Sequence, residues 1–190
     1  MTGRTHDLAA FTAMTIVLSA VPVPHISLGT ALVAVGANMV GGLAPDLDQP
    51  SAKLYSNIRG GTILSKIIDP LLGSHRLLSH SILGVALFGF VSKMLLDAST
   101  SFIIVNMEIV WWAFMIGVVS HLIMDTLTKE GVPWLFPIPI HFGFPPLRFF
   151  RVKTGGFIEK SLVFPGLILL NGYLFFVNYT MFVQFFKSLE

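Results

Sequence analysis

The chain contains no cysteine among its 190 residues, and only 12% of its residues are charged. Without cysteine there can be no disulfide and no thiolate metal site, so a bound metal must rest on histidine, carboxylate or backbone oxygen. A soluble domain has roughly 25% charged residues. With 54% apolar residues and a net charge of +2, this chain cannot be a soluble globular protein, a disordered tail or a nucleic-acid module with its own basic face.

The sequence contains several long apolar runs. A helix needs roughly 20 apolar residues to cross about 30 Å of hydrocarbon, and the candidate stretches are residues 8–23, 26–43, 77–96, 108–125 and 162–186. Pro22 and Pro24 form a turn between the first two, because neither suits a helix interior. We predict an all-α fold, a polytopic membrane helical bundle with about four or five transmembrane helices in a single domain, residues 1–190. A cleaved signal peptide is the alternative for the first run.

Basic residues predict the orientation, because lysine and arginine collect in cytoplasmic loops. With the N-terminus inside, ten of the twelve basic residues are cytoplasmic, and Lys93 and Lys187 lie outside. We therefore expect a multi-pass protein of the inner (cytoplasmic) membrane, with its N-terminus and site facing the cytoplasm. Membrane lipids are the expected surroundings. No direct nucleic-acid partner is expected, and the sequence does not fix the oligomeric state.

Three histidines and three aspartates fall at the cytoplasmic ends of the predicted helices: His6, Asp46, Asp48, His80, His121 and Asp125. His121 and Asp125 share one helix face, so they can bind one ion or two adjacent ions. Asp46 and Asp48 lie two residues apart in a proline-flanked loop, which suits hard cations. Singly, these residues have ordinary explanations, such as a helix cap, a solvated turn or an interfacial histidine. Jointly they predict a site for one or two divalent ions, with Zn²⁺ expected.

Two residues near His80 are candidates for catalysis. The guanidinium of Arg76 offers a fork to phosphate or carboxylate, and an ordinary positive-inside anchor is its alternative role. His75 is a candidate proton shuttle. Residues 131–146 contain five prolines and several aromatic residues, so they cannot form a long helix. We expect this segment to lie in the membrane interface, either as a lid over the site that suits a lipid substrate or as a plain loop.

Three ordered motifs carry a family resemblance. They are Pro45-Asp46-Leu47-Asp48-Gln49-Pro50, His75-Arg76-Leu77-Leu78-Ser79-His80-Ser81 and Ser120-His121-Leu122-Ile123-Met124-Asp125-Thr126-Leu127-Thr128. Together they resemble the YdjM-type family, described as LexA-binding, inner-membrane-associated, metal-dependent hydrolases. More distantly, His6, Asp46 or Asp48, His80, His121 and Asp125 resemble the ordered ligands of zinc-dependent phospholipase C and the P1-type nucleases. That second resemblance implies phosphoester hydrolysis.

The sequence thus predicts a membrane-embedded hydrolase that cleaves a phosphoester of a lipid or lipid-linked substrate with a metal-activated water. Asp46 or Asp48 is expected to bridge two ions, and Arg76 to stabilise charge on the phosphoryl oxygens. Hydrolysis of an amide or ester is an open alternative. A metal carrier or a regulator-binding membrane protein is the non-enzymatic one, although a carrier should place ionisable residues at mid-membrane, where this chain has essentially none.

Overall fold

The computed structural model describes residues 1–21, 26–48, 78–138 and 140–189, with the backbone alone for residues 47 and 48. Over these residues the chain forms six α-helices and no β-strand beyond isolated bridges. The helices are α1 (Gly3–Ala20), α2 (Leu28–Leu43), α3 (Ile82–Ser99), α4 (Met107–Thr126), α5 (Phe164–Val177) and α6 (Tyr179–Lys187). The all-α prediction is therefore confirmed.

In the described part of the chain, four helical stretches are long and apolar enough to span a membrane: Leu28–Asp46, Ile82–Ser99, Met107–Thr126 and Glu159–Val177. The second and fourth are mostly exposed, and an apolar helix that stays uncovered by protein suits contact with lipid. The first predicted run is not among the four. It forms α1, whose buried side chains include four polar ones, Thr5, His6, Thr12 and Thr15.

The fifth predicted run is divided. An apolar composition continues to Phe186, but α5 ends at Val177 and the short helix α6 begins at Tyr179. The membrane-length stretch therefore ends at Val177 and not, as predicted, at Phe186. At its other end this stretch begins earlier than predicted, with a π-helical turn over Glu159–Val163.

Helix α4 lies at the centre of the bundle, and α1, α2 and α3 all pack against it. Its approach to α2 is close because glycines meet backbone there. A Cβ atom on Gly41 would collide with the carbonyl oxygen of Phe114, and one on Gly117 with that of Asn38. The Asn38 side chain also donates from Nδ2 to the carbonyl oxygen of Ala113 at 3.0 Å. Small residues that allow such contact are typical of helix pairs in membranes.

The segment that follows α4 lies at the same end of the bundle as the start of α3. Ile82 N donates to the carbonyl oxygen of Trp134 at 3.0 Å, and the Trp134 indole donates to Thr126 Oγ1 at 3.0 Å. Arg151 cross-links the segment internally: its Nε donates to the carbonyl oxygen of Pro145, and its Nη2 donates to that of Pro146. As the prolines require, no long helix forms in its described residues.

Candidate metal centre

Four side chains from three separate parts of the chain converge at one end of the bundle. Asp46 lies in a 3₁₀ turn after α2, His80 just before α3, and His121 and Asp125 in the last turns of α4. One ligand atom from each lies within 4.8 Å of the others. His80, His121 and Asp125 are buried, whereas 21% of the Asp46 side chain is exposed. Asp46 is therefore the ligand candidate that reaches the surface.

Five of the six separations within this group are close to those between ligands of one tetrahedral ion. The Nε2 atoms of His80 and His121 are 3.3 Å apart. Each of them lies 3.7 Å from Asp46 Oδ1 and 3.7 Å from Asp125 Oδ2. Ligands at 2.0–2.2 Å from a tetrahedral ion stand about 3.3–3.6 Å apart. The separation of the two imidazole nitrogens falls within this range, and the four imidazole–carboxylate separations slightly exceed it. Asp46 Oδ1 and Asp125 Oδ2 lie within 4.8 Å of each other, so a small shift of the carboxylates would complete the shell of a divalent ion.

Hydrogen bonds outside the group orient both imidazoles. His121 Nδ1 lies 2.7 Å from the carbonyl oxygen of Gly42. That oxygen can only accept, so Nδ1 carries the proton and the lone pair of the neutral ring is on Nε2. His80 Nδ1 lies 2.8 Å from Ser79 Oγ, and when Nδ1 donates there, its Nε2 also presents a lone pair. Partners of this kind fix the tautomer of metal-binding histidines.

The two oxygens of Asp125 face different neighbours. Oδ2 faces the two imidazoles of the group, whereas Oδ1 is in contact with the amino group of Met1 and lies 3.2 Å from His6 Nε2. The His6 ring is stacked on His121, with centroids 3.7 Å apart and planes 10° apart. Within the part of the chain that the structure describes, Asp125 Oδ2 and His6 Nδ1 are buried without a hydrogen-bond partner, and His6 Nε2 has only its 3.2 Å contact with Asp125 Oδ1. Buried polar atoms are normally satisfied, and a cation bound here would satisfy Asp125 Oδ2.

Most of the predicted site residues are brought together. His6, Asp46, His80, His121 and Asp125 lie in this one cluster, although the sequence separates them by up to 119 positions. The side chain of Asp48 lies outside what the structure describes, as do His75 and Arg76, so their roles stay predictions. Another histidine, His141, is exposed in the segment after α4.

Sequence reasoning missed Glu159, which lies next to this cluster. Its carboxylate is buried against Thr2 and Thr5 at the start of α1. The available signal was its position at the edge of an apolar run, where a charge is costly unless it is paired. Thr2 and Thr5 could not be identified as its partners from the sequence, because they lie more than 150 residues away.

Comparison with known proteins places the chain in a family. The family model described as YdjM inner membrane protein matches residues 1–188. A Bacillus subtilis (strain 168) protein, described as uncharacterized protein YvsG, is 34% identical over 178 residues, which are 93% of this chain and 96% of that protein. No solved structure matches significantly. None of these comparisons supports the more distant resemblance to phospholipase C and the P1-type nucleases.

Proposed function

Because the chain belongs to the YdjM inner membrane protein family, we propose that it is a membrane-embedded, metal-dependent hydrolase. Its substrate is a phosphoester of a lipid or a lipid-linked molecule. The observation that carries this proposal is the convergence of His80 Nε2, His121 Nε2, Asp46 Oδ1 and Asp125 Oδ2 within 4.8 Å of one another, close to the spacing of a tetrahedral coordination shell.

Electrostatics support a cation at the centre of this group. Two carboxylate oxygens and two imidazole nitrogens face one another, and three of these four side chains are almost completely buried. Burying carboxylates is costly unless a cation or hydrogen-bond donors compensate. A divalent ion bound there would act as a Lewis acid and activate a water near neutral pH. Oxygen and nitrogen ligands in a tetrahedral arrangement suit Zn²⁺.

Each residue of the site has a separate proposed role. His80 and His121 supply neutral ligands whose orientation is set by Ser79 and the Gly42 carbonyl. Asp46 is the partly exposed ligand, so water and substrate would approach from its side. Arg76 and His75 keep their proposed roles of stabilising charge on the phosphoryl oxygens and moving protons.

The arrangement of Asp125 bears on the number of ions. Its Oδ2 belongs to the four-atom group, while its Oδ1 faces His6. If two ions bind, as the sequence predicts, Asp125 is a further candidate to bridge them beside Asp46 and Asp48, with the second ion replacing the Met1 amino group at Oδ1. His6 would then be a ligand of the second ion.

The lipid substrate and the orientation rest on the surroundings of the site. The site lies at one end of four apolar, membrane-length helices. Phe149, Phe150 and Phe157 are exposed in the segment after α4, at the same end. Exposed phenylalanines suit insertion into the boundary between headgroups and acyl chains, so a substrate in the leaflet could reach the site. The excess of basic residues at this end supports a cytoplasmic location for it.

One observation favours a second function. Catalytic zinc sites usually keep three protein ligands and an open position, whereas four protein ligands are typical of structural sites. If Asp46 stays bound throughout, the ion would hold the helices together without catalysing a reaction. Hydrolysis of an amide or ester would, by contrast, need the same open position as phosphoester cleavage.

An assay on purified protein separates these alternatives. The detergent-solubilised protein, loaded with Zn²⁺, is mixed with phosphatidic acid, a polyprenyl phosphate or an acyl ester, and release of phosphate or fatty acid is measured. Phosphate release that is lost on chelation and in Asp125→Asn supports the proposal. Metal binding with no turnover of any substrate supports the structural ion, and release of fatty acid alone supports ester hydrolysis.

A further inference from the structure

Glu159 is a buried carboxylate to which the proposed reaction assigns no step. Its exposed fraction is 1%. Its Oε1 accepts hydrogen bonds from Thr2 N at 2.7 Å, Thr2 Oγ1 at 2.7 Å and Thr5 Oγ1 at 2.6 Å. Its Oε2 accepts from Gly155 N at 2.7 Å. Four donors on one carboxylate form charge-assisted hydrogen bonds, which are stronger than neutral ones. Glu159 therefore ties the first turn of α1 to the segment before α5.

The backbone around Glu159 is shaped to make these bonds. Gly155 has φ of +69°, a left-handed conformation that glycine adopts without steric cost, and in it the amide donates to the carboxylate. Glu159 itself begins the π-helical turn Glu159–Val163. Single π turns within helices occur frequently at functional sites. Two uncommon backbone conformations thus flank one side chain.

The turn that Glu159 holds is the one that carries His6. Thr5 precedes His6 directly, and Thr2 lies one turn earlier on the same helix. His6 is in contact with both ligand candidates on α4, His121 and Asp125. Its ring is stacked on His121, and its Nε2 lies 3.2 Å from Asp125 Oδ1. A shift of this turn would move His6 away from Asp125.

We propose that Glu159 is a positioning residue of the metal centre. Through Thr2 and Thr5 it holds the first turn of α1, and so fixes His6 against Asp125 and His121. The expected effect on metal affinity depends on the metal site of the proposed function. The position of His6 depends only on the contacts of Glu159, Thr2 and Thr5. Outer partners of metal ligands typically change affinity by about 10- to 100-fold when they are removed.

The test uses two variants and a matched control in the full-length, detergent-solubilised protein. Glu159→Gln removes the charge, and Thr5→Val removes one donor while the bonds from Thr2 remain. Thr15→Val is the control, because Thr15 is equally buried on α1 but donates only to the carbonyl oxygen of Phe11. Two quantities are measured: Co²⁺ affinity with the visible spectrum of the bound ion, and the rate at which diethylpyrocarbonate modifies His6.

We expect His6 to be modified faster in Glu159→Gln and Thr5→Val than in the unsubstituted protein and Thr15→Val. The exposed His141 should react equally in all four and serves as the internal standard. Co²⁺ affinity should fall by about 10- to 100-fold in the first two variants, with an altered spectrum.

Unchanged labelling of His6 together with unchanged Co²⁺ affinity and spectrum in Thr5→Val and a folded Glu159→Gln would overturn the proposal. If Glu159→Gln did not fold, Thr5→Val alone would decide. If the unsubstituted protein bound no cobalt, the proposed metal-dependent function would fall, while the labelling of His6 would still decide whether Glu159 holds it.

Discussion

His121 donates a hydrogen bond from Nδ1 to the carbonyl oxygen of Gly42, and the two atoms are 2.7 Å apart. The bond joins α4 to the end of α2 and determines which nitrogen of His121 carries its proton. Nε2 is thereby left to face the other ligand candidates. The geometry of the metal centre therefore depends on the register in which α2 and α4 pack.

Gly41→Ala should disturb that packing, because the new Cβ atom would collide with the carbonyl oxygen of Phe114. Overpacking of this kind typically costs about 1–3 kcal/mol, so we expect a lower unfolding temperature in detergent. Gly36→Ala is the control on the same helix, since a Cβ atom there would meet nothing within 4 Å. Equal unfolding temperatures for the two variants would show that close contact between α2 and α4 does not matter for stability.

Ser79→Ala should weaken metal binding without preventing folding. The variant removes the hydroxyl that lies 2.8 Å from His80 Nδ1, and the imidazole loses the partner that orients it. We expect the metal dissociation constant to rise by about 10- to 100-fold, as measured by competition with a chromogenic chelator. Ser92→Ala is the matched control, because Ser92 donates only to the carbonyl oxygen of Gly89, on α3. Equal affinities in the two variants would exclude a role for Ser79.

Cysteine labelling tests the orientation, and the natural absence of cysteine makes every introduced thiol unique. Lys153→Cys lies in the exposed segment at the metal-centre end, and Ser101→Cys lies beyond the opposite end of α3. With an impermeant maleimide on intact spheroplasts, we expect Ser101→Cys to react and Lys153→Cys to react only after permeabilisation. The reverse pattern would place the metal centre outside the cell.

Much of the metal centre could be predicted from the sequence because its residues follow simple rules. His121 and Asp125 are four apart on a helix, so they had to share a face. His6, Asp46 and His80 each stand at the end of an apolar run. An up-and-down arrangement of the helices that these runs form brings those ends to the same side. The convergence of polar residues at one end was therefore visible before any contact was known.

Other features depend on contacts that a linear pattern does not contain. The bonds of Glu159 to Thr2 and Thr5 join opposite ends of the chain. The break at Asn178 interrupts a stretch that is apolar on both sides, so composition alone gave no boundary. The different neighbours of the two Asp125 oxygens also depend on tertiary packing, so the sequence alone did not mark Asp125 as a further bridging candidate.

The metal content of the purified protein tests the central claim most directly. Elemental analysis by mass spectrometry is applied to the detergent-purified protein, to His121→Ala and to Asp125→Asn, with the exposed His141→Ala as control. We predict one or two divalent ions per chain in the unsubstituted protein and in His141→Ala, and a near-complete loss in the other two variants, although they still insert into the membrane. Full metal content in His121→Ala and Asp125→Asn, or none in the unsubstituted protein after incubation with Zn²⁺, would contradict the account.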